Sequence, residues 1–230
     1  MFEDRLTELS PDSQALLIRL YRRHFTHGRF EPYVVACSGD PSRALLLYDW
    51  NMQVSAAFWE LIVYLEVALR NRINEQLETS FDHQMHWTSD LTILGPSYAR
   101  NLRDELKLAN DRIMRRGKES TPDQIVSELP FGFWVSILSR RSRSIWPELA
   151  TGFHGMPSRN PTELHRLVRD MRDLRNRIGH HHRVWNLDIA AIHADLLKLA
   201  SFIDIEFGDW LSEKSQIPQR LVEFEVIRNT

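Results

Sequence analysis

The sequence predicts an all-α protein folded as a single compact domain. Apolar residues recur at spacings of three and four over long segments, which is the repeat of one helix face. Ser10, Asp40, Thr121 and Asn160 each stand directly before a proline, a pair of residues that is typical of a helix N-terminus. No stretch requires a sheet and no domain boundary is clean, so one mostly helical domain is the simplest prediction.

Length and composition indicate a cytoplasmic protein. A chain of 230 residues is long enough to bury a substantial core. The single cysteine, Cys37, excludes an internal disulfide and suits a reducing compartment. The first residues lack the basic and apolar regions of a secretory signal. The most apolar run, Val54 to Leu69, is interrupted by Glu60 and Glu66, so we expect it to be too short and too charged to span a membrane.

Two helices and two loops are predicted over about the first hundred residues. The predicted elements are a helix over residues 10–24, a loop over 27–39, a long helix over 40–79 that could break near 49–51, and a loop over 81–96 with His83 and His86. In the long helix, Trp59, Val63 and Val67 make the side opposite the main apolar stripe apolar as well. We therefore expect this helix to be central and buried on most sides.

Shorter helices are predicted in the remainder of the chain. They cover residues 97–117, 122–129, 131–139, 145–150, 161–179 and 188–211, with a turn at Arg140, Arg141 and Arg143. The predicted organisation is an N-terminal helix and loop packed on the core (1–39), a helical domain (40–211) and a C-terminal tail (212–230). The tail alternates apolar and polar residues after Pro218, so strand and helix both remain open.

The charge distribution indicates a localised site for a polyanion. The net charge is −2, and all but four of the 29 basic residues are arginine. Residues 159–183 hold seven arginines against three acids, and residues 100–118 hold seven basic residues against three acids. Arginine suits bidentate phosphate binding, although a GC-rich genome would also favour arginine codons.

Residues 174–186 concentrate the candidate chemistry, with three arginines, three histidines and two asparagines. Known nucleotide-loop, nucleophile-elbow and metalloprotease motifs are absent from the sequence. His180, His181 and His182 are consecutive, so on a helix their side chains would point about 100° apart and would not readily converge on one metal ion. We expect no metal site and no cofactor.

The arginines before this histidine run differ in their local partners. Acids four residues away predict the surface ion pairs Arg166–Asp170, Arg169–Asp173 and Arg177–Asp173. Arg175 has no acid three or four residues away on its helix, where its neighbours are Met171, Arg172, Ile178 and Gly179. A partly buried guanidinium requires an anion, which is either a ligand or a distant partner such as Glu66.

The spacing from Arg175 to His180 does not place both on one helix face. Five residues of straight helix give about 140° of rotation and about 7.5 Å of rise. For both side chains to reach one phosphate, the helix must loosen at Gly179 or a second copy of the chain must supply one of them.

Arg175, Asn176 and His180 resemble the Arg-x4–6-His signature of the HEPN superfamily of all-helical nucleases. The string from Leu174 to His181 resembles the Abi-like family of phage abortive-infection proteins. Stretches that also resemble this family are Ala44–Asn51, Glu66 with Leu69–Asn71, and Leu129–Trp134, so the resemblance covers roughly residues 40–188. Gly179 and His182 depart from it, because alanine and Glu or Ser are common at those places.

The resemblance implies a HEPN-like helical bundle with additional helices, acting as a metal-independent endoribonuclease and an abortive-infection or toxin-type effector. In such enzymes the RNA 2′-hydroxyl attacks the adjacent phosphate, leaving a 2′,3′-cyclic phosphate and a 5′-hydroxyl. Implied partners are RNA (tRNA or mRNA), a second copy completing the active site, and an antitoxin or regulatory protein. Carried over by residue, His180 is the general acid or base, Arg175 stabilises charge, and the supporting residues are Asn176, His181, Arg183 and Asn186.

One repeat within the sequence adds candidates. Leu69–Ile73 repeats the pentapeptide Leu174–Ile178 without a following histidine. Arg70 and Asn71 could line the same cleft with Glu66 holding Arg70, or Glu66 and Arg70 could form a purely structural pair. Two functions remain open: a ribonuclease, and a catalytically silent HEPN-type module that binds RNA, nucleotide or a partner protein through the same cleft.

Overall fold

The computed structural model describes residues 10–79, 86–89, 91, 96–139 and 144–229, apart from the side chains of residues 96–101 and 229. His83 and the turn at Arg140, Arg141 and Arg143 lie outside the described residues.

The described residues form eleven α-helices and no strand, so the all-α prediction is confirmed. The helices are α1 (Pro11–His24), α2 (His27–Ala36), α3 (Pro41–Thr79), α4 (Pro96–Arg115), α5 (Pro122–Glu128), α6 (Phe131–Ile137), α7 (Trp146–Leu149), α8 (Pro161–Gly179), α9 (Ile189–Ile203), α10 (Ile205–Lys214) and α11 (Ile217–Asn229). The tail after Pro218 is therefore helical, and α3 is continuous through residues 49–51.

Two predicted boundaries were wrong. The predicted loop over residues 27–39 contains α2, which begins without a side-chain cap and has Pro32 inside it. Burial of Phe30, Tyr33 and Val34 supplies the stability that its local sequence lacks. The predicted helix 188–211 is two helices, because Asp204 ends α9 and its carboxylate accepts a hydrogen bond from the backbone N–H of Phe207 (3.0 Å) at the start of α10.

Helix α3 is buried on one side only. Residues of its main stripe, such as Val54, Phe58 and Leu65, are fully buried. The expectation that the opposite side would also be buried was wrong, since Trp59 is 38%, Val63 45% and Val67 43% exposed.

The chain divides into two compact units. The first contains the described residues up to Glu60, Arg177–His193 and the residues from Ser215 onward. Its core includes Trp50, whose indole N–H donates to the carbonyl oxygen of Arg220 (2.7 Å) and whose ring stacks on Phe224. The second unit contains Leu61–Asn176 and Ala194–Lys214, with buried side chains that include Leu69, Trp87, Trp134, Leu167 and Leu199. The domain boundaries inferred from the sequence remain a prediction.

Helix α3 also meets the length and apolarity of a membrane-crossing helix. Its most apolar 18-residue window has a mean hydropathy of 1.4, contrary to the expectation that this region is too short and too charged. In the protein, 44% of that window is buried, and core helices of soluble proteins satisfy the same criterion, so this is weak evidence for a membrane span.

Candidate nucleic-acid site

The C-terminus of α8 is a tight turn that presents the histidine run. The helix begins where predicted, with the side chain of Asn160 accepting from the N–H of Thr162 (3.0 Å), and it is helical through Gly179. The N–H of His181 donates to Ile178 O (2.8 Å) and the N–H of His182 donates to Arg177 O (2.8 Å). His181, at φ 56°, is the left-handed residue that this type of helix end requires. The predicted end near Gly179 is confirmed, but the backbone reverses at a histidine rather than at the glycine.

Arg175 has an ion-pair partner in the second unit. Its Nε donates to Glu66 Oε1 at 3.2 Å, which is the structural alternative that the sequence left open. The Arg175 side chain stays 39% exposed and that of Glu66 25%. Burial raises the pKa of the Glu66 carboxyl, while the positive charges of Arg175 and Arg70 act against that rise. The Nε of Arg70 donates instead to Asn71 Oδ1 (3.3 Å), so Arg175 and not Arg70 is bonded to Glu66.

One of the three predicted surface ion pairs of α8 is observed. Arg166 pairs with Asp170 (3.2 Å) as predicted and also with Asp195 (2.6 Å), which α9 supplies. The predicted pairs of Asp173 were wrong: Arg169 contacts Asp170, Asp173 is held by Arg172, and Arg177 contacts neither. An arginine on a helix can pair with the aspartate next to it in sequence or with one four residues away, and helical spacing alone does not decide which pair forms.

In the first unit, two arginines hold the turn formed by His180, His181 and His182, which is called the histidine turn. Arg177 donates through Nε to Arg183 O (2.6 Å) and through Nη2 to Asn186 Oδ1 (3.3 Å). Arg29 of α2 donates to His181 O (2.9 Å). Both arginines bond to neutral groups of the turn. Arg29 was missed from the sequence because it lies in the segment predicted to be a loop, 152 residues before His181.

A buried amide fixes the residues that follow the turn. Asn51 is 4% exposed, and its Oδ1 accepts hydrogen bonds from the backbone N–H groups of Val184 (2.8 Å) and Trp185 (3.1 Å). The sequence contains one signal for this buried amide, because Asn51 is a polar residue between Trp50 and Val54, which are both buried.

The histidine turn lines a pocket of about 360 Å³ that lies wholly within the first unit. Its lining comprises Gly28, Arg29, Pro32, Tyr33, Tyr48, Asn51, Met52, Arg177, His181, His182 and Arg183. Three arginines and two histidines line it and no acidic side chain does, so it is suited to an anionic ligand. Burial raises the pKa of the Tyr33 hydroxyl, with Arg183 and Arg29 acting in the opposite direction.

The structure groups the site residues inferred from the sequence by unit. His180, His181, His182, Arg183 and Asn186 belong to the first unit. The second unit contains Glu66, Arg70, Asn71, Arg175 and Asn176. The rings of His180 and His182 are 6.0 Å apart between centroids. Over the described parts of the chain, no three His, Cys, Asp or Glu side chains are grouped as metal ligands.

Taken together, an all-α fold and a basic, histidine-rich turn define a helical protein with a candidate site for a polyanion. A family model described as Abi-like protein matches residues 17–186, and the chain belongs to this family. The match spans the site from Arg29 to Asn186, and it associates the chain with abortive infection. No curated protein and no solved structure matches the chain significantly.

Proposed function

We propose that this Abi-like protein is a metal-independent endoribonuclease that acts as an abortive-infection or toxin-type effector. The observation that carries the proposal is the exposed histidine turn beside a pocket with three arginines and no acid. Such a pocket favours a phosphate ester, and the adjacent imidazoles are side chains of a type that can act as general acid or base. The resemblance of Arg175, Asn176 and His180 to the HEPN signature supports cleavage rather than binding alone.

The proposed reaction needs one base, one acid and one cation. The base removes the proton of the RNA 2′-hydroxyl, the O2′–P bond forms, and the P–O5′ bond breaks while an acid protonates the leaving 5′-oxygen. The products are a 2′,3′-cyclic phosphate and a 5′-hydroxyl. We assign His180 to proton transfer and Arg175 to stabilisation of the negative charge on the pentavalent phosphorus intermediate or transition state. His181, or His180 of a second copy, completes the acid–base pair.

Asn176 is proposed to orient His180 or the phosphate, and the pairing of Arg175 with Glu66 supports a positioning role for that carboxylate. Arg70 and Asn71, bonded to each other, are proposed to extend the basic surface. The enzyme is further proposed to be a cytoplasmic homodimer whose active site combines both copies, with an antitoxin or regulatory protein restraining it.

The test is cleavage of cellular RNA by the purified protein in EDTA. We expect fragments with cyclic-phosphate and 5′-hydroxyl ends, and a loss of rate of at least about 100-fold in His180→Ala. Arg175→Ala is expected to lose a comparable factor. His154→Ala and Arg159→Ala replace exposed residues of the same types elsewhere and should leave the rate unchanged. Intact RNA under these conditions, with folded protein by circular dichroism, would refute the proposal, and cleavage only after metal addition would replace it with a metal-dependent mechanism.

The alternative is a catalytically silent module that binds RNA, nucleotide or a partner through the same basic surface. The Arg175–Glu66 ion pair favours it, because a guanidinium bonded to a carboxylate is already neutralised in part. Salt-dependent RNA binding that is unaffected by His180→Ala, together with no cleavage, would support this function.

A further inference from the structure

We propose that the basic pocket of the first unit and the pocket beside it form one nucleotide-binding site, with the phosphate at Arg29, Arg177 and Arg183 and the base against Trp185. This inference rests on the proposed function, because the nucleotide is taken to be one unit of the RNA strand. It extends the pocket that carries the proposed function with a base site, and it assigns nucleotide binding to residues outside the HEPN-like signature.

The charges in the basic pocket are not neutralised by protein. Among the described residues, the side chain of Arg183 has neither an ion pair nor a hydrogen bond, while Arg29 and Arg177 bond to carbonyl and amide oxygens. Each guanidinium has five N–H donors, so these bonds leave donors for a ligand. Three uncompensated cations around one pocket attract a group that carries more than one negative oxygen, such as a phosphate.

Tyr33 adds a neutral donor at this position. It lines the basic pocket and also packs against aromatic residues. Its ring centroid is 4.9 Å from that of Tyr48 and 6.0 Å from that of Trp185. No hydrogen bond of its hydroxyl is formed within the described part of the chain. A tyrosine hydroxyl is protonated at neutral pH and burial raises its pKa further, so it is suited to donate to a phosphate oxygen.

The second pocket has the character of a base site. It has a volume of about 490 Å³ and is lined by Trp185, Val35, Ala36, Glu31 and Asn186, and it shares Gly28, Pro32 and Arg183 with the basic pocket. Aromatic and aliphatic groups offer a flat apolar surface, and the amide and carboxylate can bond to a base edge. Asn51 holds the backbone of Trp185, so the indole is positioned before a ligand arrives.

Size limits the ligand to about one nucleotide. Each pocket lies at the lower end of the range of about 300–1,000 Å³ that is usual for small-molecule sites. Because Arg183 lines both, a ligand that fills both must have its anionic and planar parts adjacent, which is the layout of a nucleotide.

Calorimetry tests the proposal on the His180→Ala protein, which leaves both pockets intact and prevents turnover. The ligands are adenosine 3′-monophosphate, uridine 3′-monophosphate, adenosine, inorganic phosphate and an RNA hexamer. We expect each mononucleotide to bind at least tenfold more tightly than phosphate or adenosine. Equal affinities for nucleotide and phosphate would overturn the base site.

Two variants separate the phosphate-binding part of the site from its base-binding part. Arg183→Met should weaken nucleotide and phosphate binding at least tenfold, whereas Trp185→Ala should weaken nucleotide binding and leave phosphate binding unchanged. Arg23→Met removes an exposed arginine of the same unit as the matched control and should change neither. Nucleotide binding that survives Arg183→Met would overturn the proposal.

The outcomes are distinguishable from those of the cleavage test. Nucleotide binding that depends on Arg183 supports the site even if wild-type protein leaves RNA intact, in which case only the ribonuclease fails. RNA cleavage together with nucleotide binding insensitive to Arg183→Met refutes the site alone. A hexamer that binds more weakly than the mononucleotides would overturn the RNA strand as the source and indicate a free nucleotide.

Discussion

The residue with the most structural consequence for the site is Asn51, a buried amide in α3. One side-chain oxygen satisfies two backbone N–H groups, those of Val184 and Trp185, directly after the histidine turn. Buried donors without a partner are costly, so the position of the turn depends on this single acceptor.

Replacement of Asn51 by leucine is expected to lower the free energy of unfolding by about 2–4 kcal/mol, because similar volume is kept while two buried donors lose their partner. Urea unfolding measures the loss. Gln216→Ala, which removes an exposed amide, should change the value by less than about 0.5 kcal/mol. An unchanged stability of Asn51→Leu would show that the two N–H groups reach water or other acceptors.

Glu66 and Arg175 illustrate two opposing effects on one carboxyl. Burial is the larger cause and raises the pKa of Glu66, whereas the charge of Arg175 lowers it. A raised pKa in the folded protein means that the protonated form is favoured by folding. The contribution of Glu66 to stability is therefore present below its unfolded pKa of about 4.3 and is lost as the pH rises through the folded pKa.

This sign predicts a pH-dependent difference between wild type and Glu66→Gln. The stability of wild type relative to Glu66→Gln should decrease from pH 4 to pH 7, measured by urea unfolding at each pH. The opposite slope would mean that the Arg175 ion pair outweighs burial. Glu75→Gln, an exposed carboxylate on the same helix, provides the comparison for general pH effects.

Among the helices, α8 determines how the candidate site is presented. It stays helical through Gly179 and ends in a turn with His181 in a left-handed conformation. His180 is the first residue after the end of α8, so it no longer follows the helical rotation from Arg175. Under the proposed function, the group that completes the site comes from the same chain or from a second copy.

Gly179 is expected to tolerate alanine. A Cβ there would meet no other atom within 4 Å, and alanine is the better helix former, so Gly179→Ala should raise the free energy of unfolding by about 0.5–1 kcal/mol. Gly155→Ala is the contrasting variant, because its Cβ would lie 1.7 Å from the backbone oxygen of Ser201 and should cost about 3 kcal/mol or more. Thermal unfolding of both proteins checks the pair. A destabilised Gly179→Ala would indicate that the helix end needs the glycine.

For the whole molecule, the exposed apolar residues of the second unit bear on assembly. Val63, Tyr64 and Val67 of α3 and Trp210 of α10 are each at least 36% exposed, and the rings of Tyr64 and Trp210 meet edge to face at 5.0 Å. A cluster of this kind is typical of an interface between proteins. It supports the proposed homodimer, in which both copies contribute to a composite active site.

The double variant Val63→Glu with Val67→Glu should be monomeric, because like charges and lost apolar burial both oppose association. Light scattering after size-exclusion chromatography gives the mass, with the wild type expected at twice the chain mass. Leu108→Glu changes an equally exposed apolar residue elsewhere and should leave the dimer intact. A monomeric wild type at micromolar concentration would refute the dimer.

Local chemistry in the sequence was sufficient for most helices and for the family. Proline start signals placed α1, α3, α5 and α8 to within a residue or two, because capping and fixed proline geometry act over one turn. Helix α2 was missed, since its stability comes from burying Phe30, Tyr33 and Val34 rather than from local propensity. The predicted residues His181, Arg183 and Asn186 do lie at the pocket or beside it, whereas the catalytic roles of Arg175 and His180 remain predictions.

Whether an interaction can be predicted from the sequence depends on how far apart its residues lie along the chain. The helix period, the caps and the motif around Arg175 are readable from the sequence because neighbours along the chain create them. The contacts of Arg29 with His181, Asn51 with Val184, and Glu66 with Arg175 join residues more than a hundred positions apart. Such pairs depend on how helices pack, and only the tertiary structure decided that the histidine turn lines an arginine pocket.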